Sequence, residues 1–201
     1  MIMQHLMGVI YHPKTEWHSI DRDKTLSIGA TTMQYLLLAL IPPISLYIGT
    51  TQLGWTVSGS GYHLLTSESA ASAAMAFYFA IIALGFIMTK SVHWMEKTYG
   101  SGADIEHCAR LVLYSGSPML MAGFIALYPM LWLCVAVMLV AIAISVHSLY
   151  VGVAEIMHID EDRAFLYATS IVTVGLCCLV GLLAVSVMLW STLVPLTIVS
   201  G

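Results

Sequence analysis

Histidine and carboxylate residues stand three positions apart in two short polar segments of this sequence. His93 and Glu96 occur in "HWMEK", and Glu155 and His158 occur in "EIMHIDED". On a helix, residues three apart lie on the same side, so each pair can direct one nitrogen and one oxygen ligand to the same ion. Mixed nitrogen and oxygen ligands suit zinc, iron or manganese. These four residues are the candidate ligands of a divalent metal.

A third polar segment, "ADIEHCAR", could add ligands to the same site through Asp104, Glu106 and His107. Carboxylate and histidine residues at this spacing occur in carboxylate-bridged metal bundles. The alternative is that these segments are ordinary hydrophilic loops. The acidic residues at 160–162 could then cap the helix that follows, because negative charge is favourable at a helix N-terminus. Both interpretations stay open from the sequence.

Motifs of common enzymes are absent from the sequence. It contains no H-E-x-x-H, no G-x-S-x-G and no glycine loop that would bind phosphate. No acidic residue lies deep within an apolar segment, and no basic patch suits nucleic acid. We therefore expect no enzymatic activity, no catalytic or cofactor-binding residues and no nucleic-acid partner. The sequence identifies no cofactor beyond the candidate divalent metal.

The composition requires a membrane to position these residues. Of the 201 residues, 59% are hydrophobic and only 9% are charged, whereas a soluble domain carries about a quarter charged residues. Five segments reach the length of about 20 apolar residues that a membrane helix needs. They cover about 28–48, 69–92, 109–127, 130–151 and 164–190. We expect an all-α polytopic membrane protein, with one membrane domain over 1–201 that includes an N-terminal segment at 1–27.

The basic residues predict how these spans are oriented. All seven fall on one side of a five-span arrangement: Lys14, Arg22, Lys24, Lys90, Lys97, Arg110 and Arg163. The positive-inside rule assigns that side to the cytoplasm. The N-terminus is then cytoplasmic, and the C-terminus lies outside. The three segments that carry the candidate metal ligands share the cytoplasmic face.

Proline predicts irregular backbone in two of the spans. Pro42 and Pro43 are consecutive in the outer half of the first span, where they must interrupt the helical hydrogen bonds. Pro118 predicts a bend in the third span. Carbonyl groups freed inside a membrane must find partners in neighbouring helices or water.

Three stretches of the chain carry a family resemblance. They are "YHPKTEWHSI" before the first span, "LVLYSGSPMLMAGFIALYP" in the third span, and "SLYVGVAEIMHIDEDRAFLYATS" between the fourth and fifth spans. Their order and spacing resemble the Yip family of Ypt/Rab-interacting-protein domains, and in particular its bacterial branch of YohC-type inner-membrane proteins. In the last stretch the resemblance rests on Tyr150, Gly152, Ala164 and Tyr167.

The resemblance implies a multi-pass protein of a bacterial inner membrane with five spans and a cytoplasmic N-terminus. Eukaryotic relatives bind Rab-type GTPases, but this chain lacks their long N-terminal region and their Asp-Leu-Tyr-Gly motif. That role is therefore not transferred. We expect a membrane-organising or partner-binding protein whose partners are the lipid bilayer, further copies or other membrane proteins. The alternative is a small transporter or channel for a divalent metal or a small solute.

Overall fold

Long helices account for nearly all of the computed structural model. The structure describes residues 8, 13–23, 27–54, 63–128, 130–192 and 198–200. The helices are α1 (Pro13–Arg22), α2 (Ile28–Leu38), α3 (Ile41–Ile48), α4 (Ser67–Tyr99), α5 (Ile105–Ala122), α6 (Leu131–Met157) and α7 (Glu161–Thr192). A π-helical segment, Gly49–Leu53, follows α3, and a 3₁₀ segment, Gly123–Leu127, follows α5. Two three-residue strands, His63–Leu65 and Ile198–Ser200, pair antiparallel with Leu64 opposite Val199.

The predicted all-α fold with five spans is confirmed. Five stretches of the described chain are long and apolar enough to cross a membrane. They are Ile28–Leu53, Ser67–Tyr99, Ile105–Leu127, Leu131–Met157 and Glu161–Val185. The third is the most enclosed, with 44% of its apolar window buried against 11% for the fifth, so α5 lies at the centre of the bundle and α7 at its edge.

Helices α4 and α6 continue past the ends that hydropathy predicted. Helix α4 runs to Tyr99 rather than to about 92, and ends at Gly100 in the left-handed region with φ 73°. Helix α6 runs to Met157 rather than to about 151, and ends at His158 with φ 50°. Polar residues continue a helix readily once it leaves the apolar part of the membrane, so hydropathy underestimates helix length at these ends. Glu155 is therefore helical, and the link to α7 is only three residues long.

The first span is broken where the two prolines predicted a break. Helix α2 ends at Leu38, and α3 begins at Ile41 with Pro42 and Pro43 in its first turn, where proline needs no amide hydrogen. The bent span packs closely against the 3₁₀ segment. A Cβ atom added at Gly123 would lie 2.6 Å from Cγ of Pro42, so only glycine permits this approach.

Buried hydroxyl groups tie the spans together through backbone and side-chain acceptors. The Tyr35 hydroxyl donates to the carbonyl oxygen of Ile81 at 2.8 Å and thereby joins α2 to α4. The Tyr114 hydroxyl of α5 donates to Oε1 of Gln34 at 3.2 Å. Since lipid offers no hydrogen bonds, polar groups inside the bundle need such partners.

The largest buried cluster lies at one end of the bundle, where α1 meets the long helices. Its fully buried large side chains are Trp17, Ile20, Val92, Leu111, Leu113, Tyr114, Val153, Ile156, Met157, Tyr167 and Ile171. They come from α1, α4, α5, α6 and α7. This end of the bundle therefore has a packed core similar to that of a soluble domain.

Candidate functional site

Helix α1 is short, and its two buried side chains fix it against the bundle. It begins at Pro13, whose restricted φ suits the first position of a helix. Trp17 and Ile20 are three residues apart, share one side of the helix, and are both 0% exposed. Helix α1 packs chiefly on α6.

Trp17 fits into a gap on α6 that a glycine leaves open. A Cβ atom added at Gly152 would lie 2.5 Å from Cε2 of Trp17, too close for any other residue without displacement. The indole Nε1 donates to the carbonyl oxygen of Ser148 at 3.1 Å. The ring also meets Tyr114 edge to face, with centroids 6.3 Å apart. Trp17 thus contacts both α5 and α6 and satisfies its only polar group.

Two polar pairs run alongside this apolar contact. Nε2 of His18 lies 3.0 Å from Oε2 of Glu155, and Nε2 of His158 lies 3.3 Å from Oδ2 of Asp21. Helix α1 supplies His18 and Asp21, whereas Glu155 lies in the last turn of α6 and His158 is the residue that caps its end. The two pairs follow the same order along both segments. The polar pairs and the Trp17 contact therefore favour the same position of α1 along α6.

Magnitudes indicate which of these contacts holds α1 in place. The side chains of His18 and His158 are 59% and 67% exposed, and an exposed ion pair contributes about 0–1 kcal/mol. Truncating a fully buried tryptophan to alanine costs about 3–5 kcal/mol. The apolar anchor therefore supplies most of the binding free energy of α1, and the polar pairs adjust its register.

Glu155 and His158, two of the predicted metal ligands, both face α1. Their contacts are His18 and Asp21, residues that the metal hypothesis did not include. Asp21 also approaches a third predicted ligand, because its Oδ1 lies 3.8 Å from Nε2 of His107. Asp21 thus lies between two histidines.

The other predicted pair, His93 and Glu96, lies on α4. Glu96 is 8% exposed, and Nδ1 of His93 is buried with no hydrogen-bond partner among the described residues. Over the described ranges, no hydrogen bond or ion pair joins this pair to Glu155 or His158. Nor do these ranges contain a group of three or more His, Cys, Asp or Glu side chains placed to hold a metal ion. Metal binding stays a prediction that the geometry does not support.

The three additional candidate ligands lie around the start of α5 and take separate positions. Asp104 is the N-cap residue of α5, and its side chain makes no capping hydrogen bond. Glu106 accepts a hydrogen bond from the backbone nitrogen of Ile28 at 3.2 Å, so it connects the beginnings of α5 and α2. His107 faces Asp21 on α1. The acidic residues Glu161 and Asp162 occupy the first turn of α7, as the capping alternative requires.

The sequence analysis missed Trp17, His18 and Asp21 as site residues. The signal was present in the paired spacings of Trp17 with Ile20 and of His18 with Asp21, which give a short helix one apolar side and one polar side. A helix of only 10 residues is easily read as a polar leader before the first span. Lys24, one of the seven basic residues used for orientation, lies outside the described residues.

The family model described as "Yip1 domain" matches residues 7–182. The chain is 31% identical to a protein of Escherichia coli strain K12 that is named "Inner membrane protein YohC". The match extends over 188 residues, 94% of this chain and 96% of the relative. A protein of the same name from Escherichia coli O6:H1 matches to the same extent. No solved structure is significantly similar to this chain. The family match includes α1, the first four spans and all but the last three residues of the fifth span.

Proposed function

Because this chain belongs to the Yip1 domain family and is an inner-membrane protein, we propose that it acts without enzymatic activity by binding a partner protein in that membrane. The surface proposed for binding is the outward side of α1 around Ser19, which is exposed. The partner-binding role and the absence of catalysis are the new parts of this proposal.

The observation that carries the proposal is the fixed position of α1. A short polar helix near a chain terminus is normally mobile, because few of its residues are buried. Here Trp17 and Ile20 are completely buried, and the hydrogen bond from the indole to the carbonyl oxygen of Ser148 fixes the orientation of the Trp17 ring. A rigid exposed surface binds a partner without first losing conformational entropy, which favours affinity.

The apolar lining of a groove on the bundle supports a binding role rather than the transport of a hydrated solute. A groove of about 390 Å³ lies between α5 and α6, and its lining includes Pro118, Met121, Val137 and Ile144. All of these side chains are apolar, so the groove suits a lipid tail better than an ion. A transporter of charged solutes usually has ionisable residues in the membrane interior.

We also propose that α1 lies in the cytoplasm, on the basis of the positive-inside rule. The test is labelling of Thr15→Cys and Gln52→Cys variants in intact cells with a membrane-impermeant maleimide. Both positions are exposed, Thr15 on α1 ahead of the first span and Gln52 at the far end of that span. Labelling of Gln52→Cys from outside, with Thr15→Cys labelled only after lysis, is expected. The reverse pattern would overturn the orientation.

The partner-binding proposal is tested by photocrosslinking in the native membrane. A benzophenone amino acid at Ser19 is expected to give a discrete crosslinked protein, identified by mass spectrometry. The matched control places the same group at Leu183, which is 60% exposed on α7. The specific adduct is expected to disappear in the Gly152→Ala variant, which disturbs the Trp17 contact without altering the outward side of α1.

Two results would contradict the proposal. One is an identical set of adducts from Ser19 and Leu183, which would indicate random collision in the membrane. The other is uptake of zinc or manganese by proteoliposomes that contain the protein, above the rate of protein-free vesicles and lost in a Glu155→Ala/His158→Ala variant. That second result would establish the transport alternative and the predicted metal ligands together.

A further inference from the structure

A group of cations that form no ion pair with any described residue lies at the end of α4 and the start of α7, away from α1. Lys90, Trp94 and Lys97 are spaced four and three residues apart, so they share one side of α4. All three are exposed, Trp94 to 80%. The buried residues Val92 and Glu96 occupy the opposite side of the same turns. This stripe therefore points outward from the bundle.

Arg163 extends the stripe onto α7. Tyr99 stacks on Tyr167 with ring centroids 4.7 Å apart, which brings the start of α7 beside the end of α4. A Cβ atom added at Gly100 would lie 3.6 Å from Nη1 of Arg163, so the guanidinium group passes beside the last turn of α4. We call Lys90, Trp94, Lys97 and Arg163 the basic rim.

The three cations of the basic rim have no carboxylate partner among the described residues. The ion pairs of the described chain involve other residues, and Glu161 and Asp162 form none with Arg163 although they precede it in the chain. The chain as a whole is acidic, with a formal charge of −4. Among the described residues, these three cations therefore form no ion pair although carboxylates precede Arg163 directly in the sequence.

The length of α4 places the basic rim at the level of lipid headgroups. The helix has 33 residues and at 1.5 Å per residue is about 50 Å long, whereas the hydrocarbon core is about 30 Å thick. The stretch from Ser69 to Thr89 has no charged residue and is long enough to cross that core by itself. Lys90 is the first charge beyond it, and its Nζ lies 5.7 Å from the ring centroid of Phe86. The ammonium group is then at the membrane interface, where Trp94 is also favoured.

From these observations we propose that the basic rim binds the headgroup of an anionic phospholipid. Lys90, Lys97 and Arg163 pair with the phosphate and the net negative charge of the lipid, and Trp94, between the two lysines, packs against the headgroup. A lipid is the occupant because the stripe continues directly into the exposed apolar surface at Phe86, which is 65% exposed. A soluble anion would use the charges and leave that apolar continuation unfilled.

The test is native mass spectrometry of the full-length protein in detergent, titrated with phosphatidylglycerol or with phosphatidylethanolamine of the same acyl chains. Tighter binding of phosphatidylglycerol is expected. Each cation near an anionic headgroup contributes enough for about a fivefold change in the dissociation constant. The Lys90→Gln/Lys97→Gln variant should therefore bind phosphatidylglycerol about 30-fold more weakly, and Arg163→Gln about fivefold more weakly.

The matched control is the Lys14→Gln/Arg22→Gln variant, which removes the same two charges from exposed positions on α1. Its dissociation constant should stay within about twofold of the wild type, because these cations lie outside the basic rim. The Lys90→Arg/Lys97→Arg variant should retain binding. An equal loss in the control, or no preference for phosphatidylglycerol in the wild type, would overturn the proposal. Displacement of the lipid by millimolar inorganic phosphate would do so as well, since the ligand would then be a free anion.

Discussion

The two ends of the helix bundle differ sharply in how their side chains are packed. At the end covered by α1, large residues such as Trp17, Tyr114 and Tyr167 are fully buried. Toward the other end, Trp132 is 74% exposed and Leu139 is 61% exposed, although both lie on the same helix as residues of the packed core. The apolar groove between α5 and α6 also lies on this loosely packed side.

The difference follows from the surroundings of each end. Lipid tails are as apolar as leucine, so an exposed leucine in the membrane costs nothing, and the far end needs few side-chain contacts between helices. Near the membrane surface, water returns and apolar burial again stabilises the fold. The core formed with α1 therefore has the energetics of a soluble domain, whereas the rest of the bundle depends on its lipid environment. The following predictions test this contrast.

The largest effect is expected from Trp17→Ala. Loss of the buried ring and of its hydrogen bond to Ser148 should lower the free energy of unfolding by about 3–5 kcal/mol. The measurement is reversible unfolding in mixed micelles. Trp132→Ala at the exposed end is the control, with an expected change below about 0.5 kcal/mol. Similar losses at both positions would mean that the two ends are equally important for stability.

A smaller effect is expected from Gly152→Ala. The new methyl group would meet Trp17, and overpacking of this kind costs about 1–3 kcal/mol. Gly116→Ala on α5 is the matched control, because, apart from its own stretch of helix, no described atom lies within 4 Å of its added Cβ. Alanine is the better helix former by about 1 kcal/mol, so the control should be neutral or more stable. Thermal unfolding of the two variants side by side distinguishes them. A higher midpoint temperature in both would mean that Trp17 does not pack against Gly152.

Removal of one buried hydroxyl group at the α1 end should have a modest effect. Tyr167 donates to the carbonyl oxygen of Val92 at 2.5 Å and is 0% exposed, so Tyr167→Phe should cost about 0.5–1.5 kcal/mol. Tyr150 makes a more exposed bond to Thr169 at 2.8 Å, and Tyr150→Phe should change stability by less than about 0.5 kcal/mol. Chemical denaturation of both variants provides the comparison. A larger loss at Tyr150 would contradict the assignment of the core to the buried side of α7.

The smallest effect is expected for the polar pairs that accompany Trp17. A double-mutant cycle of Asp21→Asn and His158→Ala should give a coupling free energy below about 1 kcal/mol. This coupling should decrease further as salt concentration rises, because both side chains reach solvent. A coupling above about 2 kcal/mol that is insensitive to salt would show that the pair, rather than Trp17, holds α1.

Several features of the fold could be predicted from local sequence. The lengths of the apolar runs predicted five spans, and the consecutive prolines Pro42 and Pro43 predicted the break between α2 and α3. The ends of α4 and α6 could not be located by hydropathy, since Glu96 and Glu155 continue their helices outside the apolar region. For α4 the capping residue is the better signal, because Gly100 takes the left-handed conformation and marks the end of the helix.

For the candidate site, the sequence predicted two of the polar residues but not the residues that they contact. The spacing of Glu155 and His158 was enough to expect that both would face the same neighbour. It could not identify that neighbour, because His18 and Asp21 belong to a helix more than 130 positions earlier in the chain. Both polar pairs, and the contact of Asp21 with His107, depend on that long-range packing.

The sequence by itself therefore determined that this is a five-span membrane protein, since span length and composition are local properties of the chain. Its membership of the Yip1 domain family rests instead on similarity along the chain. Only the tertiary structure decided that Glu155 and His158, at the end of α6, meet α1 rather than α4. The deciding contact is the insertion of Trp17 beside Gly152, a shape match between residues far apart in sequence. Such a match depends on the angle and register of whole helices, which no local pattern specifies.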